Sequence, residues 1–371
     1  MSNNQHAEYK SSYPFVSDAI TTGKIVYFLG AGVNLCSRQP GMGWQPGINL
    51  PSGSELTMYL AEGYKYPRNK TKVYCRKCKK WEDLSGIKLH LNCTHLLCSY
   101  KEEIHPSEKQ FLCSSCASEV EFYEQPQDLL RVAQYVRLGG GRPILKDKLD
   151  SVFKVNPLPT MLHEFFATLP DILCKKGVSN RFPLIVTTNY DDMIERAFIN
   201  KGEPFDLVYY KKASNERTGK FWHRSHNGTE EVIKRPNSYT DLPFNKRTVI
   251  IKIHGTIDRT DETQDNYVIT EEDYIEYLAD LSLENVFPGQ LLNSLRQNHI
   301  LFLGYSLRDW NLRVILHRLF RQIPRNSRNI SWAIQLQPEE TDKLFWEKYE
   351  IKILDSTLEQ YLKGLRAQLC Q

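Results

Sequence analysis

Short apolar runs ending in small or polar tips recur along the chain. Lys24-Ile-Val-Tyr-Phe-Leu29 is rich in β-branched and aromatic residues and stops at Gly30-Ala-Gly32, which predicts a buried strand running into a glycine turn. The pattern returns three times. Residues 182–188 run into Asn189-Tyr-Asp-Asp192 and an amphipathic stretch over 193–200. Residues 248–253 run into His254-Gly255, and 299–303 into Gly304-Tyr-Ser-Leu-Arg-Asp309 with a helical pattern reaching Phe320. Strands without in-and-out alternation, separated by helical stretches, belong to mostly parallel sheets covered on both faces. Further strands are expected over 329–336 and 351–354, and helices over 338–349 and 357–369. Helical patterns at 127–138, 145–153 and 159–173 predict a helical subdomain beside the sheet.

The expected fold class is therefore α/β, a Rossmann-like, mostly parallel sheet with helices on both faces. In such sheets ligands bind outside the carboxyl ends of the strands, near a topological switch point. All four polar tips lie at such ends and can line one pocket.

Length sharpens the picture. A chain of 371 residues suggests about two domains, or one large domain with an insert. The first two predicted strands are about 150 residues apart, too far for a single crossover helix, so an insert is required. The expected division is a ligand-binding domain with its helical subdomain over 1–63 and 124–371, and an inserted module over 64–123.

With 41% hydrophobic and 25% charged residues the chain is not disordered. A net charge of +4 gives too weak a long-range field to indicate a partner. The N-terminus lacks the basic and apolar regions of an export signal, and no apolar run approaches the ~18 residues of a membrane span. A soluble, cytoplasmic protein with no membrane partner is expected.

In a reducing compartment, paired cysteines point to metal rather than disulfides. Six of the nine cysteines fall in the insert. Cys75-Arg-Lys-Cys78 and Cys113-Ser-Ser-Cys116 are two C-x-x-C knuckles 34 residues apart. Together they supply the four thiolates of a tetrahedral, structural Zn²⁺ site in a zinc-ribbon-like module. Cys93, His95 and Cys98 offer ligands for a second metal, with burial as the simpler explanation for the extra cysteines. No base or open coordination position suggests a catalytic zinc. The stretch 65–80 carries eight basic residues and no acidic one, a candidate nucleic-acid contact whose commoner explanation is a solvated face.

Each tip has an ordinary explanation when taken alone. Asn189 and Asp191 suit N-caps, His254 suits a structural histidine, and Gly304-Tyr-Ser suits a strand-to-helix turn with Asp309 capping the next helix. The series is more specific. Gly30-Ala-Gly-Val-Asn34, Leu50-Pro-Ser-Gly-Ser54, Thr187-Thr-Asn-Tyr-Asp191, Ile253-His-Gly255 and Gly304-Tyr-Ser-Leu-Arg-Asp309 resemble, in order, the sirtuin-like NAD-binding family. The likeness is closest to bacterial sirtuin-like NAD glycohydrolases of antiphage defence. Protein deacylases follow the glycine loop with an Asp-Phe-Arg segment and carry their zinc ribbon later, near the catalytic histidine. Here Leu50-Pro-Ser-Gly53 follows the loop, and the cysteines precede residues 187–191.

The resemblance implies that Gly30, Ala31 and Gly32 cradle the NAD⁺ diphosphate, with Asn34 and Thr188 beside them. It places Asn189 and Asp191 at the nicotinamide ribose, makes His254 the catalytic base, and brings Gly304, Ser306 and Asp309 to the adenosine half. The chemistry suits these residue types. Loss of nicotinamide leaves an oxocarbenium-like centre that an amide oxygen or carboxylate stabilises, and an imidazole can take a proton from ribose or water.

The implied activity is cleavage of NAD⁺ to nicotinamide and ADP-ribose, regulated to deplete the pool on infection. The alternatives are an NAD-dependent protein deacylase and a nucleic-acid-binding, nucleotide-sensing scaffold. Homo-oligomers and a companion such as a HerA-type ATPase or short Argonaute are further implied by the resemblance. No G-x-x-x-x-G-K-[ST] motif is present, so an ATPase would be a separate chain. The aromatic stretch 211–226, with Trp222, His223 and His226, is expected to be either a lid or a surface hairpin.

Overall fold

Five buried residues, Ile25–Leu29, form an interior strand of the sheet (β1). Its side chains alternate between two cores. Val26 and Phe28 enter one, while Ile25, Tyr27 and Leu29 enter the other, so the strand must be apolar throughout. The computed structural model describes residues 9–36, 38–39, 42–67, 72–75, 80–83, 128–212, 219–278, 282–307, 310–321, 323–324 and 327–371.

In chain order the elements are α1 (Tyr13–Thr21), β1, a 3₁₀ turn (Ala31–Leu35), α2 (Gly53–Gly63), β2 (Lys72–Cys75), β3 (Lys80–Asp83), α3 (Leu129–Gly140), α4 (Arg142–Phe153) and α5 (Met161–Lys175). There follow β4 (Leu184–Thr187), α6 (Met193–Lys201), β5 (Phe205–Lys211), β6 (Lys220–Arg224), β7 (Glu230–Val232), β8 (Thr248–Lys252), α7 (Glu271–Leu278) and α8 (Gly289–Gln297). The last are β9 (His299–Leu303), α9 (Trp310–Arg321), β10 (Ser331–Gln335), α10 (Glu340–Glu347), β11 (Ile351–Asp355) and α11 (Leu358–Cys370).

One nine-stranded sheet has the order β11-β10-β9-β1-β4-β8-β5-β6-β7. It is parallel from β11 to β5 and antiparallel at β6 and β7. After β1 the chain continues to β4 on one side, and after β9 to β10 on the other. The switch point therefore lies between the tips of β1 and β9. Helices α7 to α10 cover one face, and α1, α5, α6 and α11 the other.

A third core is built by α2, α3 and α4 with Tyr190, Tyr267 and Ile269. Helix α5 is not part of that group. Leu162, Phe165, Phe166, Leu169 and Leu173 pack under the sheet, because its apolar positions match the sheet face rather than α3 and α4. Of the two readings of 211–226, lid or hairpin, the described part matches the hairpin. It supplies β6, paired antiparallel with β5 and flanked by the edge strand β7, and His223 is buried with Nε2 2.8 Å from Asp206 Oδ2 and Nδ1 2.6 Å from the Tyr239 hydroxyl. His226 follows the strand, its N–H donating to Asp206 Oδ1.

In the insert, β2 pairs antiparallel with β3, with Cys75 opposite Lys80. Cys78, Cys93, His95, Cys98, Cys113 and Cys116 lie outside the described residues, as does the side chain of Cys75. Among the described residues no group of three or more His, Cys, Asp or Glu could hold a metal. Among them, too, no helix is long and apolar enough to cross a membrane.

Candidate active site

The tips of β1 and β9 interlock through their glycines. Gly30 N–H donates to Leu303 O at 3.0 Å and Gly32 N–H to Gly304 O at 2.8 Å. A Cβ on Gly32 would stand 2.8 Å from Gly304 Cα, and one on Gly304 would overlap Val33 N. Gly304 also has φ +66°, a left-handed conformation that favours glycine. The sequence suggested glycines with bare N–H groups for a phosphate. The structure instead uses the N–H groups of Gly30 and Gly32 to join two backbones.

The tip of β4 closes onto the same loop. Thr188 N–H donates to Leu29 O at 3.3 Å, and Asn189 Nδ2 to Gly30 O at 3.3 Å. Asn34, in the 3₁₀ turn, donates from Nδ2 to Asp191 Oδ2 at 2.9 Å, both side chains being buried. Asp191 Oδ1 accepts the N–H of Met193, the first residue of α6, so Asp191 holds the start of the helix and reaches the loop at once. Asn34 Oδ1 is buried without a hydrogen-bond partner among the described residues. Such an acceptor is costly to leave unpaired and is available to a ligand.

The tip of β8 is the neighbour of that of β4, with Ile253 N–H donating to Thr187 O at 3.0 Å. His254 is buried. The Tyr274 hydroxyl lies 2.9 Å from its Nδ1, and the rings meet edge to face at 5.0 Å. Behind it, His254 O accepts the N–H of Val268. Gly255, at φ +90°, passes so close to Asn266 O that a Cβ there would overlap it.

Ser306 is exposed, and its carbonyl accepts from Gln335 Nε2 at 2.9 Å. Asp309 lies outside the described residues. Gly30, Gly32, Asn34, Thr188, Asn189, Asp191 and Gly304 are thus brought together at the carboxyl ends of β9, β1 and β4, with His254 on the adjoining strand.

Several neighbours gave no motif. His163 is buried under the loop, with Thr160 N–H donating to its Nδ1 at 3.1 Å and Thr160 Oγ1 to Val33 O at 3.1 Å. Burial lowers the imidazole to about 4, against the opposing pull of Asp191, so it is neutral near pH 7. Asp273 anchors the segment that carries Tyr274. It takes Arg142 Nη1 at 2.8 Å, Lys212 Nζ and the N–H groups of Ile269 and Thr270. Burial pulls this carboxyl up, but the charges of Arg142 and Lys212 with the Ile269 N–H hold it at about 2.

Asn266 is buried with both amide atoms unpartnered among the described residues. The usable sequence signal for Tyr274 was its place in Thr270-Glu-Glu-Asp-Tyr, four residues after the threonine that precedes α7 and whose Oγ1 accepts Asp273 N–H.

A groove of about 480 Å³ runs along the other flank of α6, lined among others by Asp192, Arg196, Ile199, Arg224, His226 and Arg259. It includes none of Gly30, Asn34, Asn189 and His254.

Residues 183–354 match the SIR2-like domain. This upholds the sirtuin-like resemblance and takes in Asn189, Asp191, His254 and Gly304, while the glycine loop after β1 lies before the match. The chain is 28% identical over 206 residues to "NAD(+) hydrolase ThsA" of Acinetobacter baumannii (strain 532279), across 55% of this chain and 34% of that protein. It is 23% identical over 265 residues to "Defense-associated sirtuin 2" of Bacillus subtilis, across 70% of this chain and 21% of that protein. To "NAD(+) hydrolase ThsA" of Cytobacillus dafuensis it is 25% identical over 268 residues, across 67% and 44%. The chain spans less than half the length of each of these relatives.

Proposed function

We propose that this chain, which carries a SIR2-like domain, is an NAD⁺ glycohydrolase that releases nicotinamide and ADP-ribose and acts in antiphage defence by depleting NAD⁺. The observation that carries the reading is the tie between Asn34 and Asp191, with Asn189 on Gly30. It joins a dinucleotide-type glycine loop to the two groups suited to a ribosyl cation. In the reaction the C1′–N bond breaks and its electron pair leaves with nicotinamide. Asp191 and the Asn189 carboxamide stabilise the positive charge left on the ribosyl carbon. Water then bonds to C1′ and gives its proton to His254, whose imidazole Tyr274 orients.

The turn Ala31–Leu35 would receive the diphosphate, with Gly304 and Ser306 toward the adenosine side. The two C-x-x-C pairs, Cys75 with Cys78 and Cys113 with Cys116, are assigned a structural Zn²⁺ on their spacing alone. Regulation is assigned to assembly with further copies or a companion protein.

The test is incubation of the purified full chain with NAD⁺, with and without an acetyl-lysine peptide, followed by chromatography of the products. Nicotinamide and ADP-ribose formed without peptide are expected. Turnover that requires the peptide and yields an acylated ADP-ribose would overturn hydrolysis in favour of deacylation.

A further inference from the structure

Lys252 is the last residue of β8, and it has no exposed surface. Its ammonium lies 2.7 Å from Glu195 Oε1 on α6, and it donates to the carbonyl oxygens of Asp191 and, at 3.4 Å, of Tyr190. All its donors therefore point at α6 and the turn that precedes it.

Energetically this is a poor way to hold a core together. Removing an ammonium and a carboxylate from water costs several kcal/mol per ion, and an apolar pair of similar volume is commonly as stable or more so. Glu195 underlines the cost. Its Oε2 is buried without a hydrogen-bond partner among the described residues, and burial raises its carboxyl despite the attraction of Lys252. An apolar pair would lack one thing, the ammonium donor on the Asp191 carbonyl and its added contact to that of Tyr190, which also accepts the N–H of Ile257 at 2.9 Å. Those carbonyls belong to the turn that presents Asn189 to Gly30 and Asp191 to Asn34. The turn lies between β4 and α6, outside both hydrogen-bond ladders.

We propose that Lys252 is a positioning residue. Its ammonium fixes the Tyr190–Asp191 backbone, and because His254 follows two residues later, the same side chain sets the β4 tip against the β8 tip. This inference rests on the reading of Asn189, Asp191 and His254 as the reacting groups. Glu195 is secondary, keeping the amine in place without touching the turn carbonyls through its own donors.

The roles of the two residues separate under substitution. In Glu195→Gln the amide oxygen still accepts from a charged Lys252, and an uncharged amine can instead accept the amide N–H on its lone pair and keep two N–H donors for the carbonyls. In Lys252→Met the Asp191 carbonyl loses its lysine donor, and that of Tyr190 keeps only its bonds from the β8 side, chiefly the N–H of Ile257. A third variant, Lys252→Met with Glu195→Leu, removes the stranded carboxylate and keeps an apolar core.

The experiment is hydrogen exchange by mass spectrometry on peptides covering 188–194 of the full chain, with nicotinamide release from NAD⁺ measured on the same samples. Exchange in this segment is expected to rise at least about tenfold in Lys252→Met and in the double variant, and to stay within about threefold of wild type in Glu195→Gln. Turnover is expected to fall about 100-fold in the first two with KM little changed, since small misplacements of reacting groups cost this much. The double variant is expected to keep the wild-type melting temperature, which separates a loosened turn from a loosened fold. The proposal is overturned if the double variant matches wild type in both exchange and turnover, or if Glu195→Gln loosens the turn as much as Lys252→Met. Exchange is read without NAD⁺ chemistry. A wild type that cleaves no NAD⁺ while showing the expected exchange pattern would therefore count against the proposed activity and not against the role of Lys252 in the turn.

Discussion

Asn34 and Asp191, 157 residues apart in the chain, share a buried hydrogen bond of 2.9 Å from Nδ2 to Oδ2. The bond ties the loop after β1 to the turn after β4 and leaves Asn34 Oδ1 buried without a hydrogen-bond partner among the described residues. Replacing Asn34 by Asp puts a second carboxylate against that of Asp191 where an amide donor stood. Repulsion between them, with loss of the bond, is expected to weaken NAD⁺ binding by about tenfold or more. Isothermal calorimetry on Asn34→Asp and wild type checks it, and equal affinities would remove Asn34 from the site.

Gly304 cannot carry a side chain for two reasons, its φ of +66° and the position of Val33 N. Gly304→Ala is expected to destabilise the fold by about 2 kcal/mol or more, because the conflict is with backbone that cannot swing away. Gly53, which opens α2 with nothing within 4 Å of a Cβ, is the control. Gly53→Ala is expected to stay within about 1 kcal/mol of wild type, by urea denaturation.

Because burial lowers His163 from 6.5 to about 4, the unfolded chain binds a proton there that the folded chain refuses between those values. The resulting stability is complete above pH 6.5 and is lost as pH falls toward 4, amounting to about 3 kcal/mol. Melting temperatures from pH 7 to 4 are expected to fall less steeply in His163→Gln than in wild type. Parallel curves would show that His163 is not the group responsible.

The hydroxyl of Tyr274 stands 2.9 Å from His254 Nδ1, while its ring packs edge-on against the imidazole. Tyr274→Phe keeps the packing and removes the hydrogen bond. Turnover is expected to drop about tenfold with KM unchanged, measured as nicotinamide release from NAD⁺. Unaltered turnover would make the contact one of packing only.

The central strands were legible because they are buried on both faces and so read as unbroken apolar runs. β1, β4, β8 and β9 fall where the pattern placed them, give or take a residue or two at each end. The antiparallel edge was read only in part, as the hairpin alternative for 211–226. Asp206 and His223 sit inside β5 and β6 as a buried pair, and a charge within a strand disguises it. Helix α5 was recognised as a helix but assigned to the wrong layer, since periodicity gives an apolar face and not its partner.

In the site, Asn189, Asp191, Asn34 and the glycines stood out as short polar or small residues ending apolar runs. Lys252, His163 and Tyr274 did not, because their roles come from contacts with residues remote in the chain. A lysine within Ile250-Ile-Lys-Ile253 was the one visible anomaly.

The most direct test of the whole account is nicotinamide release from NAD⁺ by wild type, Asn189→Ala and His254→Ala, compared at equal folded concentration. Release by the wild type, with about a 100-fold or greater loss in each variant while both keep the wild-type circular dichroism spectrum, is the predicted result. Release that survives both substitutions undiminished would contradict it.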